Sequence, residues 1–71
     1  MIETFGERLA KAITSSRQHR NNVAMRMGMT RSRLSDLIKG LTDPTNDEIE
    51  RFSDLLQVPV TWMLTGKHRR N

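Results

Sequence analysis

Apolar residues recur along this chain at helical spacing, in five short blocks separated by polar or glycine-containing breaks. Phe5, Leu9, Ala12 and Ile13 fall at i, i+4, i+7 and i+8, one stripe of an amphipathic helix over about residues 4–16. Ser15-Ser16-Arg17-Gln18-His19 interrupts it. Val23, Ala24 and Met27 mark the buried side of a shorter second helix, about residues 20–27, and Gly28 suits the left-handed residue that closes it. Thr30 is an N-cap for a third helix, which buries Leu34 and Leu37 and stops at Gly40. Leu41-Thr42-Asp43-Pro44 is a turn. Thr45-Asn46-Asp47-Glu48 then has the spacing of a capping box, in which hydroxyl and carboxylate satisfy first-turn amides reciprocally. The fourth helix buries Ile49, Phe52, Leu55 and Leu56 and ends at Val58-Pro59. A fifth, residues 60–65, presents Trp62, Met63 and Leu64 before Gly66. No strand alternation or hairpin signal competes with this pattern. It predicts an all-α, compact five-helix domain over residues 1–66, with 67–71 as a basic C-terminal tail.

A chain of 71 residues holds one small domain, whose core alone supplies only about 3–5 kcal/mol. There is no cysteine, which excludes disulfides and thiolate–metal sites and points to a reducing, intracellular compartment. The apolar runs are too short to span a membrane, and the acidic start Met1-Ile2-Glu3-Thr4 is unlike a signal peptide. His19 and His68 are the only histidines, and no carboxylate–histidine set is clustered. An enzyme, a cofactor, a metal site and a small-molecule substrate are therefore not expected. The net charge of +4 is unevenly spread. Residues 8–39 carry eight basic side chains against Asp36 alone, whereas residues 40–58 carry five acidic ones against Arg51. Lys67, Arg69 and Arg70 make the tail basic again. Such a localised positive field suits a polyanionic partner, although charge alone fits a solvated basic face equally well.

The spacing within the basic region decides between them. A helix closed by Gly28 is followed by a threonine-capped helix that begins Arg31-Ser32-Arg33. That is the layout of a helix-turn-helix over about residues 20–39, in which the second helix enters the DNA major groove. A cation in the first turn opposes the helix dipole by roughly 0.3–1 kcal/mol, so Arg31 and Arg33 point to a task other than stability. With Leu34, Leu37 and Ile38 on the core side, a rotation of about 100° per residue turns Ser32, Ser35, Asp36 and Lys39 outward. Arg31 and Arg33 flank that face at its N-terminal end. Arg31 can fork onto guanine O6 and N7, and Ser32 and Ser35 can donate or accept at base edges. Asp36 has two readings: it accepts from cytosine N4, or it holds Arg33 or Lys39 as a helical i,i+3 pair. Arg33 reaches a base or, the reading preferred here, a phosphate; Lys39 suits a phosphate at the far end. Arg20 opens the second helix, where first-turn amides and a cation jointly suit a phosphate. Arg17 and Thr42 complete the phosphate candidates.

Several further stretches carry a family likeness: Phe5-Gly6-Glu7-Arg8-Leu9, Val23-Ala24 ahead of Met27-Gly28, and Thr30-Arg31-Ser32-Arg33-Leu34-Ser35. Gly40 with Pro44, Leu55-Leu56-Gln57-Val58 and Trp62-Met63-Leu64-Thr65-Gly66 continue it in order. Across these the chain resembles the lambda-repressor-like helix-turn-helix family, which holds phage repressors and Cro proteins. The resemblance implies a transcriptional repressor that binds a near-palindromic double-stranded DNA operator as a homodimer, formed or strengthened on DNA, in the bacterial cytoplasm or nucleoid. By position, Arg31, Ser32 and Asp36 occupy the family's main base-reading places, and Arg20 that of a helix-opening glutamine that usually contacts phosphate. His19 departs from the usual Ser or Thr cap, and Ile38 stands where many members carry a glutamate. With nothing after the fifth helix but a short tail, the chain is most like a single-domain Cro repressor. An antitoxin, with a protein partner, or a restriction-modification controller of the same fold is the alternative. The dimer contact is expected at Val58, Val60, Trp62 and Met63, the competing reading being that Trp62 packs within its own chain.

Overall fold

A computed structural model describes residues 3–66 of the protein. Five helices follow in order: α1 (Phe5–Ser16), α2 (Arg20–Met27), α3 (Arg31–Lys39), α4 (Asn46–Leu56) and α5 (Val60–Thr65). The caps predicted at Thr30 and Thr45 are formed. Thr30 Oγ1 accepts from the Arg33 amide at 3.0 Å. Thr45 and Glu48 close their box with amide-to-side-chain bonds of 2.9 and 3.1 Å. Thr4, expected inside the first helix, is instead its N-cap and closes a second box with Glu7 at 2.8 and 3.1 Å. Gly28 and Gly40 end α2 and α3 at φ 71° and 78°, a backbone region that lacks the steric penalty only for glycine. His19 caps α2 with no side-chain hydrogen bond. The basic tail at 67–71 lies outside the described residues.

The apolar stripes meet in one core. α1 packs against α3, α4 and α5; α2 lies across α3 and α4; α5 returns onto α1 and α4. Leu9, Val23, Leu34, Leu37, Phe52 and Met63 are fully buried. Phe5, Ile38, Leu55 and Trp62 are half-buried at its edge, so Leu55 is less enclosed than the pattern predicts. Met63 departs further from expectation. It is 0 % exposed in the single chain, where the sequence reading put it on a dimer surface. α5 has only six residues and packs against two helices, and Met63 is the side chain it buries there.

Two close contacts fix how α1 sits against α3 and α5. A Cβ on Gly6 would lie 2.6 Å from the Leu37 carbonyl oxygen and 2.7 Å from the Ile38 carbonyl carbon. The backbone of α1 is therefore seated directly on the C-terminal end of α3. Arg8, only 6 % exposed, reaches the opposite end of the chain. Its Nε donates to the Met63 carbonyl at 2.8 Å, Nη2 to the Leu64 carbonyl at 3.0 Å and Nη1 to the Glu3 carbonyl at 2.7 Å. Two of these acceptors belong to the last turn of α5, whose carbonyls have no helical partner of their own.

Candidate nucleic-acid interface

α2 and α3 are joined by three residues, Gly28-Met29-Thr30. The Gly28 amide donates back to Ala24 and Met25, and the Met29 amide to Ala24, so the end of α2 is satisfied before Thr30 starts α3. Val23, Ala24 and Met27 from α2 and Leu34 and Leu37 from α3 are all buried. The angle between the two helices is thus set from behind, by packing, and their outer faces are left to solvent.

The side chains there divide into two groups. Arg31 and Ser32 are exposed, Ser35 and Asp36 half-buried and Lys39 exposed. Among the described residues, Ser32, Ser35, Asp36 and Lys39 make no side-chain hydrogen bond or ion pair. The i,i+3 pairing expected of Asp36 is therefore not formed; it acts on Arg33 only as a nearby charge. Arg31 hydrogen-bonds through Nη1 to Asn21 Oδ1 at the start of α2, one residue after Arg20 in the chain. Arg20 and Arg17 are exposed.

Arg33 is differently placed. Its Nε donates to Glu48 Oε2 at 3.2 Å and its Nη2 to Glu48 Oε1 at 2.7 Å, a forked pair. Nη1 donates to Thr42 Oγ1 at 3.0 Å, and Nη2 also to the Asp43 carbonyl at 3.3 Å. The Arg33 hydrogen bonds hold the Glu48 carboxyl below the usual carboxylate range, and those same bonds raise the pKa of Arg33. A depressed carboxylate stabilises the fold fully above its unfolded value, about 4.3, and the contribution is lost as pH falls through the lower folded value. Melting followed by circular dichroism from pH 7 to 3 is expected to show the midpoint falling below that point. Arg33→Ala should flatten the fall.

Residues 20–63 match the model of a family described as helix-turn-helix, which is more than half of the chain. The chain belongs to the helix-turn-helix family. This is the lambda-repressor-like kind that its motifs resemble. In three dimensions the helix-turn-helix chain is similar to the N-terminal DNA binding domain of SinR from Bacillus subtilis. The TM-score is 0.80 at 26 % identity, over 92 % of this chain and 96 % of that one. Among curated proteins none matches it in sequence. No helix among the described residues is long and apolar enough to cross a membrane. No group of His, Asp or Glu among them is arranged to hold a metal ion.

Three residues of this helix-turn-helix chain have partners that the sequence does not announce. Asn21, which by sequence either assists Arg20 at a phosphate or supplies a weak helix start, orients Arg31. Glu48 was only a cap, yet it receives Arg33. Arg8 counted as one basic residue among eight, yet it is buried. At the other end, Val58, Val60 and Trp62 are half-buried and Leu64 is 51 % exposed.

Proposed function

We propose that this helix-turn-helix chain is a sequence-specific transcription regulator that binds double-stranded DNA. Specifically, we read it as a repressor of Cro type that acts as a homodimer on a near-palindromic operator in the cytoplasm. One observation carries the reading. The outward side of α3 offers Ser32, Ser35 and Asp36 with no partner among the described residues, next to an oriented Arg31, on a helix pinned from its other side. Hydrogen-bonding groups left uncommitted on a fixed helix are what base-edge recognition requires. The likeness to the SinR DNA binding domain supports the same partner.

In this reading Arg31 forks onto guanine, Ser32 and Ser35 contact neighbouring base edges, and Asp36 accepts from a cytosine amine. Arg20, at a helix start with no side-chain cap, holds a phosphate together with the first-turn amides. Lys39, Arg17 and the Thr42 hydroxyl supply further backbone contacts. Val58, Val60 and Trp62, joined by the exposed Leu64, form the dimer face. Pairing spaces two recognition helices by roughly one turn of DNA, about 34–36 Å.

Selection of bound sites from random duplex DNA tests this. A two-fold symmetric consensus is the expected result. A lone half-site would overturn the dimer, and no enrichment would overturn the DNA reading. On the selected site, Arg31→Ala should weaken binding by about 1–3 kcal/mol and relax preference at one base pair of each half-site. Equal loss on every sequence would reduce Arg31 to a phosphate contact.

A further inference from the structure

We infer that Glu48 is a positioning residue that acts through Arg33, keeping this cation of the recognition helix off the DNA backbone and so holding down the chain's affinity for random duplex. The inference rests on the DNA-binding reading above. Arg33 stands in the first turn of α3, on the flank of the outward face, where an unrestrained guanidinium would reach phosphates. The structure turns it the other way. A guanidinium has five N–H donors, and Arg33 makes four hydrogen bonds to Glu48, Thr42 and Asp43. Both Glu48 oxygens take part, and Oε1 also receives the Thr45 amide. Glu48 is thus held at the start of α4 by its own capping box, with its side chain only 17 % exposed. It is a fixed anion, and the fork gives Arg33 one preferred geometry.

The effect on random-duplex affinity follows from what a free arginine would do at that place. Attraction to phosphates is the same for every duplex, so an added contact raises affinity for random DNA as much as for the target. It thereby leaves the specific-to-random ratio unchanged and holds the chain longer on DNA of any sequence. Neutralised by Glu48 and tied to residues 42 and 43, Arg33 instead links α3, the α3–α4 connection and α4.

Salt titrations of the full chain on a random-sequence duplex test the inference without knowledge of the operator. Four forms are compared: the wild type, Glu48→Gln, Arg33→Ala and the double variant. Glutamine can still close a capping box, so Glu48→Gln removes the charge while α4 keeps its start. Glu48→Gln is expected to bind random duplex more tightly and to steepen the slope of log K against log salt by about 0.9 per bound chain. That is about 3.5-fold more affinity lost between 50 and 200 mM salt. Arg33→Ala should keep the wild-type slope, and the double variant should match Arg33→Ala. A slope for Arg33→Ala shallower than wild type by about 0.9 would mean that Arg33 already neutralises a phosphate, and would overturn the inference. So would an unchanged slope for Glu48→Gln with a lowered melting temperature, which is what a purely structural pair gives. If Glu48→Gln does not fold, the Arg33→Ala arm still decides. A wild-type chain with no affinity for any duplex would overturn the DNA reading and this inference with it, and is told apart because it shows before any substitution.

Discussion

Replacing Gly6 with alanine is expected to destabilise the domain by about 3 kcal/mol, at the upper end of what overpacking costs. Helix propensity predicts the opposite sign, since alanine inside a helix is better than glycine by roughly 0.5–1 kcal/mol. The sign is therefore diagnostic. The added methyl would meet the Leu37 and Ile38 carbonyls, which are backbone and cannot rotate away, so α1 and α3 must part. In a domain of this size the melting midpoint should fall by about 10–20 °C. A circular dichroism melt checks it. An unchanged or raised midpoint would show that the two helices separate at no cost.

Arg8→Met should be of similar size, about 3 kcal/mol: three hydrogen bonds from a charged group, at about 1.5–3 kcal/mol each, are lost, and the kept apolar stem and the avoided desolvation of a buried charge offset part of that sum. Arg8 has no carboxylate among its hydrogen-bond partners; the carbonyls of the last turn of α5 provide the negative end of a helix dipole instead. α5 has six residues, too few to hold helical structure without tertiary contacts. The loss should therefore be uneven. Hydrogen exchange is expected to show the α5 amides losing protection first, ahead of α1 and α4. Arg8→Lys should behave almost as badly, since a single ammonium cannot fork to three separate carbonyls. A lysine variant that melts like the wild type would show that only the charge matters.

Much of the fold could be read from short-range chemistry. The stripe Phe5, Leu9, Ala12, Ile13, the caps Thr30 and Thr45 and the stops Gly28 and Gly40 are interactions within one or two turns, and the helices stand where these place them. Thr4 was expected inside the helix, although Thr4-Phe5-Gly6-Glu7 has the same capping-box spacing as Thr45-Asn46-Asp47-Glu48. What was not legible depends on how helices cross. Arg33 meets Glu48 fifteen residues away, and Arg8 meets Met63 fifty-five away. No local pattern favours these partners over Asp36 or over solvent. Met63 illustrates a different limit. In a helix of fewer than two turns, Trp62, Met63 and Leu64 point in three directions, and periodicity cannot say which is inward. The outward residues of α3 were easier, because Leu34 and Leu37 define its inner side unambiguously.

The side chains of Ser32, Ser35 and Asp36 take no part in the side-chain hydrogen bonds or the apolar core that keep α3 in place. If α3 reads base edges as proposed, inheritance can therefore act on target choice and on folding separately. On the proposed reading, drift at these three positions would change which duplex the helix favours while leaving the scaffold as stable as before, so descendants of one such chain would diverge in target within a few substitutions. For the same reason they are the positions at which a designer would begin to retarget it.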